Sequence, residues 1–237
     1  SLTVLSRHIP WDIENFSLSD DGKQLMAVVN NNGRDEMRLF DAVSGKELSR
    51  PAIPAGSIGG GQWHETQHTQ LAFSLNSPQS PGDVYTFDGA TGKTERWTVA
   101  SSAPGINPET FVSPALVQIK SFDGLAVSGW LFLPDASRFP GKRPVLVSFH
   151  GGPEGQSTVR FMGRYNYFLN EMGIAILMPN VRGSSGYGKT FLDLDNGFKR
   201  KDSVKDGGAF LDWVGTHARL DAKRIVVSGG SYGGYMT

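Results

Sequence analysis

Hydrophobic and polar positions follow two different rules along the 237-residue chain. In the first hundred residues, short apolar segments are cut by turn residues. Residues 25–29 and 37–41 enclose Asn30-Asn31-Asn32-Gly33, Asp20-Asp21-Gly22 opens the first, and Ser44-Gly45-Lys46 follows the second. This spacing predicts antiparallel strands joined by tight turns. From residue 115 the rule changes. Residues 115–121 and 125–133 alternate around Asp123-Gly124, a hairpin signal. Residues 145–149, 174–178 and 225–228 are continuous apolar runs, as strands buried on both faces require. Between them, Phe161, Tyr165, Phe168, Leu169 and Met172 share one helical face closed by Gly173. Phe210, Trp213, Val214 and His217 likewise recur at helical spacing. Strands alternating with helices predict a parallel sheet with right-handed crossovers.

The first rule repeats. Residues 71–75 match 25–29, residues 84–88 match 37–41, and Thr91-Gly92-Lys93 matches Ser44-Gly45-Lys46, at an offset of about 46 to 47 residues. The clearest pairing sets Phe40-Asp41-Ala42-Val43-Ser44-Gly45-Lys46 beside Phe87-Asp88-Gly89-Ala90-Thr91-Gly92-Lys93. That period suits one four-stranded blade, so residues 1–100 are expected to be blades of an all-β propeller. Residues 101–114, with Pro104, Pro108 and Pro114, read as a linker to the region 115–237.

Composition narrows the function classes. Lysine plus arginine and aspartate plus glutamate balance at 23 each, so no global field favours nucleic acid or an anionic membrane. There is no cysteine, which excludes disulfides, thiolate metal sites and a cysteine nucleophile within the chain. No apolar run reaches the length of a membrane span. The start, Ser1-Leu2-Thr3-Val4, has neither a leader pattern nor an initiator methionine. That start does not look natural; the expected compartment is the cytoplasm, with the periplasm or secretion as the alternative if a leader has been lost from this segment. Assembly into a homo-oligomer stays open.

The chemistry concentrates at Gly229-Gly230-Ser231-Tyr232-Gly233. A serine hydroxyl is a poor nucleophile and must be both exposed and activated. A sharp turn from strand to helix exposes it, and glycines flank the turn because a β-carbon would clash with the neighbouring strand and helix. Residues 225–228 supply the strand, Ser231 is the expected nucleophile, and Gly233-Gly234-Tyr235-Met236 opens the helix. The letters alone are weak, so context must carry them. Acyl transfer needs two N–H donors aimed at the developing oxyanion, each worth about 3 kcal/mol of barrier. Tyr232 N–H is one candidate. The other lies in His150-Gly151-Gly152-Pro153, the glycine-rich loop that ends the strand 145–149. The order of strand, loop, helix, strand, helix, strand and elbow predicts the N-terminal half of a doubly wound, mostly parallel α/β-hydrolase fold.

Residues 115–237 also resemble the first half of the catalytic domain of the prolyl oligopeptidase family of serine peptidases, on its acylaminoacyl- and dipeptidyl-peptidase-like branch. The resemblance rests on Phe149-His150-Gly151-Gly152-Pro153, on Pro179-Asn180-Val181-Arg182-Gly183-Ser184-Ser185-Gly186-Tyr187-Gly188, and on Gly229-Gly230-Ser231-Tyr232-Gly233-Gly234-Tyr235-Met236-Thr237. It implies a propeller ahead of the hydrolase domain, making residues 1–100 its C-terminal blades. It also implies Ser231 as nucleophile and an oxyanion hole of Tyr232 N–H with an N–H of Gly152 or Gly151. Arg182 would brace the active-site loops, His150 would hold the glycines, and short peptides would be the substrates. No metal or organic cofactor is implied.

Two further motifs are decoys. Gly183-Ser184-Ser185-Gly186-Tyr187-Gly188-Lys189-Thr190 fits a phosphate-binding loop, yet Pro179-Asn180-Val181-Arg182 separates it from its strand and Asp195-Asn196-Gly197 interrupts any long helix. His64-Glu65-Thr66-Gln67-His68 fits a zinc-peptidase pattern that works only on a helix, whereas here it falls in a turn between strands. In this fold a triad histidine follows the nucleophile, so His217 is expected to be structural. The same order disqualifies Asp193, Asp206 and Asp212 as the triad acid; the last two are expected to be solvated or capping charges on their helix. The acid and base are expected beyond Thr237. The sequence thus reads as a segment of a longer enzyme whose elbow strand would lie mid-sheet, and which alone would be insoluble and inactive. A carboxylesterase and a non-catalytic propeller scaffold are the rival readings.

Overall fold

The computed structural model describes residues 4–237, and contacts divide the chain into two units between Pro108 and Glu109, with residues 159–161 grouping with the first. In the first unit, β1 (Asp12–Leu18), β2 (Gln24–Asn31) and β3 (Arg34–Asp41) form an antiparallel sheet. A second antiparallel sheet follows, of β4 (Ser57–Trp63), β5 (Gln70–Ser77), β6 (Ser80–Asp88) and β7 (Lys93–Arg96). Alternation drives both. Met26, Val28, Met37 and Leu39 from one sheet share a buried cluster with Leu71, Phe73, Leu75, Tyr85 and Phe87 from the other.

The internal repeat has a physical basis in its turns. After β3, the Asp41 carboxylate accepts the Val43 and Ser44 N–H groups and the Ser44 hydroxyl. After β6, Asp88 accepts the Ala90 N–H and the Thr91 hydroxyl. Gly45 and Gly92 each then take φ +72°, where a side chain would be strained. The same aspartate-led turn is built twice.

The second unit holds a five-stranded sheet in the order β12-β10-β11-β9-β8. Its strands are β8 (Ala115–Lys120), β9 (Ala126–Phe132), β10 (Arg143–Phe149), β11 (Ala175–Asn180) and β12 (Leu220–Gly229). Strand β10 pairs parallel with β11 and β12, whereas the hairpin β8–β9 joins antiparallel through β9 against β11. The sheet is therefore mixed, with its parallel part where the continuous apolar runs lie. Helices cover it from both sides. Val145, Val147 and Phe149 pack with Phe210 and Val214 of α3 (Arg200–Thr216), while Leu146 on the alternate face borders Tyr165 and Phe168. Strand β12 borders the sheet among the described residues, and its Val226 is 64% exposed.

Three expectations need correction. The helical face drawn through Phe161–Met172 is realised only as α1 (Tyr165–Asn170). Residues 159–161 are held elsewhere: Val159 N–H donates to the Gly33 carbonyl and Phe161 N–H to Asn76 Oδ1. His217 is not on α3 but leaves it with ψ +131°, its Nδ1 accepting the Arg219 N–H, although its ring still packs on Trp213. Asp206, expected to be solvated, is fully buried on α3 because Arg182 and Ser121 bind its carboxylate. Asp212 is exposed as expected.

Candidate active site

Strands β10 and β12 pair in register from Val145↔Ile225 to Phe149↔Gly229, so they end level. The loop His150–Pro153 and the turn at Ser231 leave the same end of the sheet side by side. The approach is close. A β-carbon added to Gly151 would stand 3.3 Å from the Gly230 carbonyl oxygen, 3.5 Å from Ser231 Cβ and 3.9 Å from its Oγ. Of the expected constellation, Ser231, Tyr232, Gly151, Gly152 and His150 are thus brought together.

The turn itself is sharp. Ser231 has φ +56° and ψ −123°, and it shares positive φ with only one other non-glycine residue among those described, Asn32. Such a conformation costs about 1–3 kcal/mol and persists only where the surroundings enforce it. Helix α4 (Tyr232–Tyr235) starts at the next residue. Tyr232 N–H occupies a first-turn position, where no intrahelical acceptor exists. The flanking glycines are required by contact. A β-carbon on Gly229 would collide with the Gly233 backbone, and one on Gly233 with the Phe149 carbonyl oxygen.

His150 fixes its own loop. Its Nδ1 lies 2.8 Å from the Gly151 carbonyl oxygen and its Nε2 lies 2.9 Å from Ser184 Oγ. A carbonyl only accepts, so Nδ1 carries a proton. Burial lowers the pKa of His150, and its Nε2 rests against Ser184 Oγ, whose own proton goes to the Val181 carbonyl oxygen at 2.6 Å. The loop is further held by the Gly155 carbonyl, which accepts the Ser185 N–H at 2.9 Å. Gly152 has φ +138°, and a β-carbon there would stand 2.6 Å from the Glu154 and Gly155 nitrogens.

Arg182 lies just past β11 and is 5% exposed on its side chain. Its guanidinium takes Asp206 through Nε and Nη2, and Asp123 of the β8–β9 turn through Nη1 and Nη2 at 2.8 and 2.9 Å. The Phe122 ring lies beneath it, 4.7 Å away. Burial alone would lower its pKa, but the two carboxylates outweigh that and raise it. Hydrogen bonding from Arg182 in turn pulls Asp123 down to about 2. Arg182 therefore ties the turn after β8 to α3 and to the end of β11.

Both decoys lie in turns, although Pro179 and Asn180 belong to β11 and so only Val181 and Arg182 separate the strand from the glycine-rich stretch, fewer than expected. Strand β11 runs to Asn180, and the glycine-rich stretch leads into α2 (Lys189–Leu192), a single turn. His64 follows β4 in a turn, its Nδ1 accepting the Thr66 and Gln67 N–H groups. Among the described residues, no carboxylate or histidine hydrogen-bonds the Ser231 hydroxyl.

Behind the elbow lies a group that no sequence motif marks. The Tyr232 hydroxyl is 2.7 Å from Ser203 Oγ and 3.3 Å from Asp195 Oδ2, and Asp195 also meets Arg200 at 3.1 Å. Only the buried carboxylate beside glycine could have signalled it: Asp195 is 1% exposed and fills the space that a β-carbon on Gly183 would need.

Residues 160–237 match the sequence profile of the prolyl oligopeptidase family. The uncharacterized peptidase YuxL of Bacillus subtilis (strain 168) is 31% identical over 172 residues, which is 69% of this chain and 25% of that protein. Dipeptidyl aminopeptidase BIII of Pseudoxanthomonas mexicana is 28% identical over 215 residues, 86% of this chain and 30% of its own length. Among solved structures, Pyrococcus horikoshii acylaminoacyl peptidase superposes with a TM-score of 0.76 at 23% identity, over 100% of this chain and 36% of that one. Prolyl oligopeptidase B from Galerina marginata does so with a TM-score of 0.82 at 17% identity, over 96% and 32%. The chain thus spans about a quarter to a third of the length of these relatives. The profile match, with the peptidase relatives beside it, identifies residues 160–237 as a segment of the prolyl oligopeptidase family.

Proposed function

We propose that the intact protein is a serine peptidase that cleaves short peptides through an acyl-enzyme on Ser231. The first unit is then part of a β-propeller and the second the N-terminal half of an α/β-hydrolase domain. The observation that carries this reading is the level ending of β10 and β12, which sets Gly151 against the strained Ser231. In the proposed reaction, Ser231 Oγ attacks the peptide carbonyl carbon while a histidine base, placed after the nucleophile in this fold, removes its proton. The carbonyl oxygen gains the charge and is met by the N–H groups of Tyr232 and of Gly152 or Gly151. Collapse expels the amine, which takes the proton from the base. Water then adds to the acyl carbon and returns the serine. His150 and Arg182 act from outside the reacting atoms: the first fixes the glycine loop, the second anchors α3 and the β8–β9 turn.

The test is labelling of the intact protein by a fluorophosphonate, followed by a comparison of aminoacyl- and acylaminoacyl-nitroanilides with simple p-nitrophenyl esters. Labelling at Ser231, lost in Ser231→Ala, with turnover of the anilides is the expected result. Turnover of esters alone would make the protein a carboxylesterase. Failure to label would leave a scaffold.

A further inference from the structure

We propose that Asp195 and Ser203, with Arg200, are positioning residues for the oxyanion donor, acting through the side chain of Tyr232. This rests on the reading of Ser231 as nucleophile and deepens it. Tyr232 carries the N–H expected to meet the oxyanion, but α4 is a single turn and gives that N–H little rigidity of its own. The opposite end of the residue is gripped instead. Its hydroxyl lies between Ser203 Oγ at 2.7 Å and Asp195 Oδ2 at 3.3 Å, and the Arg200 guanidinium stacks 5.2 Å from the ring centre. Tyr232 donates to Asp195, and the one proton of Ser203 is shared between the Tyr232 oxygen and the Arg200 carbonyl oxygen, which lies 2.7 Å from Ser203 Oγ. A ring pinned at its far end, on a Cα one bond from the amide nitrogen, fixes the direction of that N–H.

The arrangement exceeds what packing requires. Ser203 alone would satisfy a half-buried tyrosine hydroxyl. Asp195 adds a carboxylate that is 1% exposed, with Oδ1 lacking any hydrogen-bond partner, and leaves room for nothing but glycine at position 183. Burying a polar atom unpartnered costs stability, so its retention points to work done through Oδ2. The loop between α2 and α3 is thereby coupled to the elbow.

The experiment compares Tyr232→Phe, Asp195→Ala, Ser203→Ala and the double variant Tyr232→Phe/Asp195→Ala in the intact protein. It measures kcat and KM on a peptide anilide, the rate of fluorophosphonate labelling, and affinity for a peptide aldehyde that binds as a tetrahedral adduct. Deleting an oxyanion donor outright lowers kcat by about 10²–10³, and misaiming one should cost less, about 5–20-fold. The expected result is that fall in kcat for Tyr232→Phe, with KM within about twofold and aldehyde affinity falling in step. The double variant should be no worse than the poorer single one, because both act through the same contact. An unchanged kcat and labelling rate in folded Tyr232→Phe, or effects that multiply in the double variant, would overturn the proposal. Should Tyr232→Phe not fold, Ser203→Ala removes the other hydroxyl partner and is judged by the same kcat-against-KM split. A wild-type protein that never labels would instead sink the assignment of Ser231.

Discussion

The carbonyl oxygen of Phe149 occupies the place where a β-carbon on Gly233 would stand. Strand β10 and helix α4 approach until only hydrogen fits between them, and the serine turn is folded over that contact. Gly233→Ala must push backbone against backbone, which no side-chain rotation relieves, and should cost about 1–3 kcal/mol or more. A β-carbon on Gly230 meets nothing within 4 Å, so Gly230→Ala should leave the melting temperature close to that of the wild type. Thermal unfolding of both variants decides it; equal losses would mean that the glycines serve flexibility rather than proximity.

Ser231 is held at φ +56° by its surroundings. Glycine accepts that conformation freely, whereas alanine inherits the strain of serine. Ser231→Gly is therefore expected to be more stable than Ser231→Ala by about 1 kcal/mol, the strain relieved exceeding glycine's extra unfolded entropy. Denaturant unfolding of the two variants measures the difference directly.

The two carboxylates on Arg182 should behave unequally. Asp206 is 0% exposed on its side chain, so Asp206→Ala leaves a buried guanidinium without its main partner and should cost about 3–5 kcal/mol. Asp123 is 42% exposed, and Asp123→Ala should cost clearly less because water replaces it. Asp123 also gives a pH signature. Its folded pKa of about 2 lies below the ordinary 3.8, so its contribution is complete above pH 4 and is lost as pH falls toward 2. Urea midpoints between pH 5 and 2 should fall less steeply in Asp123→Asn than in the wild type.

Asp35, at the start of β3, works in the opposite sense. Burial raises its pKa from 3.8 to about 6, with Glu14 adding to the effect and the Ile58 N–H opposing it. The folded chain then holds a proton that the unfolded chain releases. This contribution is full below about pH 4 and is lost as pH rises through 6. Asp35→Asn should flatten the pH dependence of stability between 4 and 7 and raise the melting temperature at pH 7. A variant with the wild-type slope would place the titrating group elsewhere.

The strands were legible because burial on one or both faces writes itself into the sequence as alternation or as unbroken apolar runs. So were the two aspartate-led turns, where the residues that make the bonds lie next to one another. Helix α1 was overextended because Phe161 obeys the 3.6 period yet is held by Asn76, far from it in sequence. Asp206 looked like a surface charge for the same reason. The residues that bury it, Ser121 and Arg182, belong to other elements, and no local pattern announces a pairing over such separations. The grip on Tyr232 joins Asp195, Ser203 and a residue near the chain end, and it escaped notice on that account. The elbow and the His150 loop were readable because glycines record close contact wherever the partner comes from.

The in-register pairing of Phe149 with Gly229 also bears on when the chain becomes reactive. Closing so long a stretch of chain is entropically costly, and parallel pairing over such distances is slow to form. Until β11 and α3 are in place, the proposed nucleophile rides on loose chain and its hydroxyl is no more reactive than any other serine. The sheet register thus serves as an interlock. A polypeptide still emerging from the ribosome, or one that has misfolded, displays the serine without the surroundings that would let it attack its neighbours.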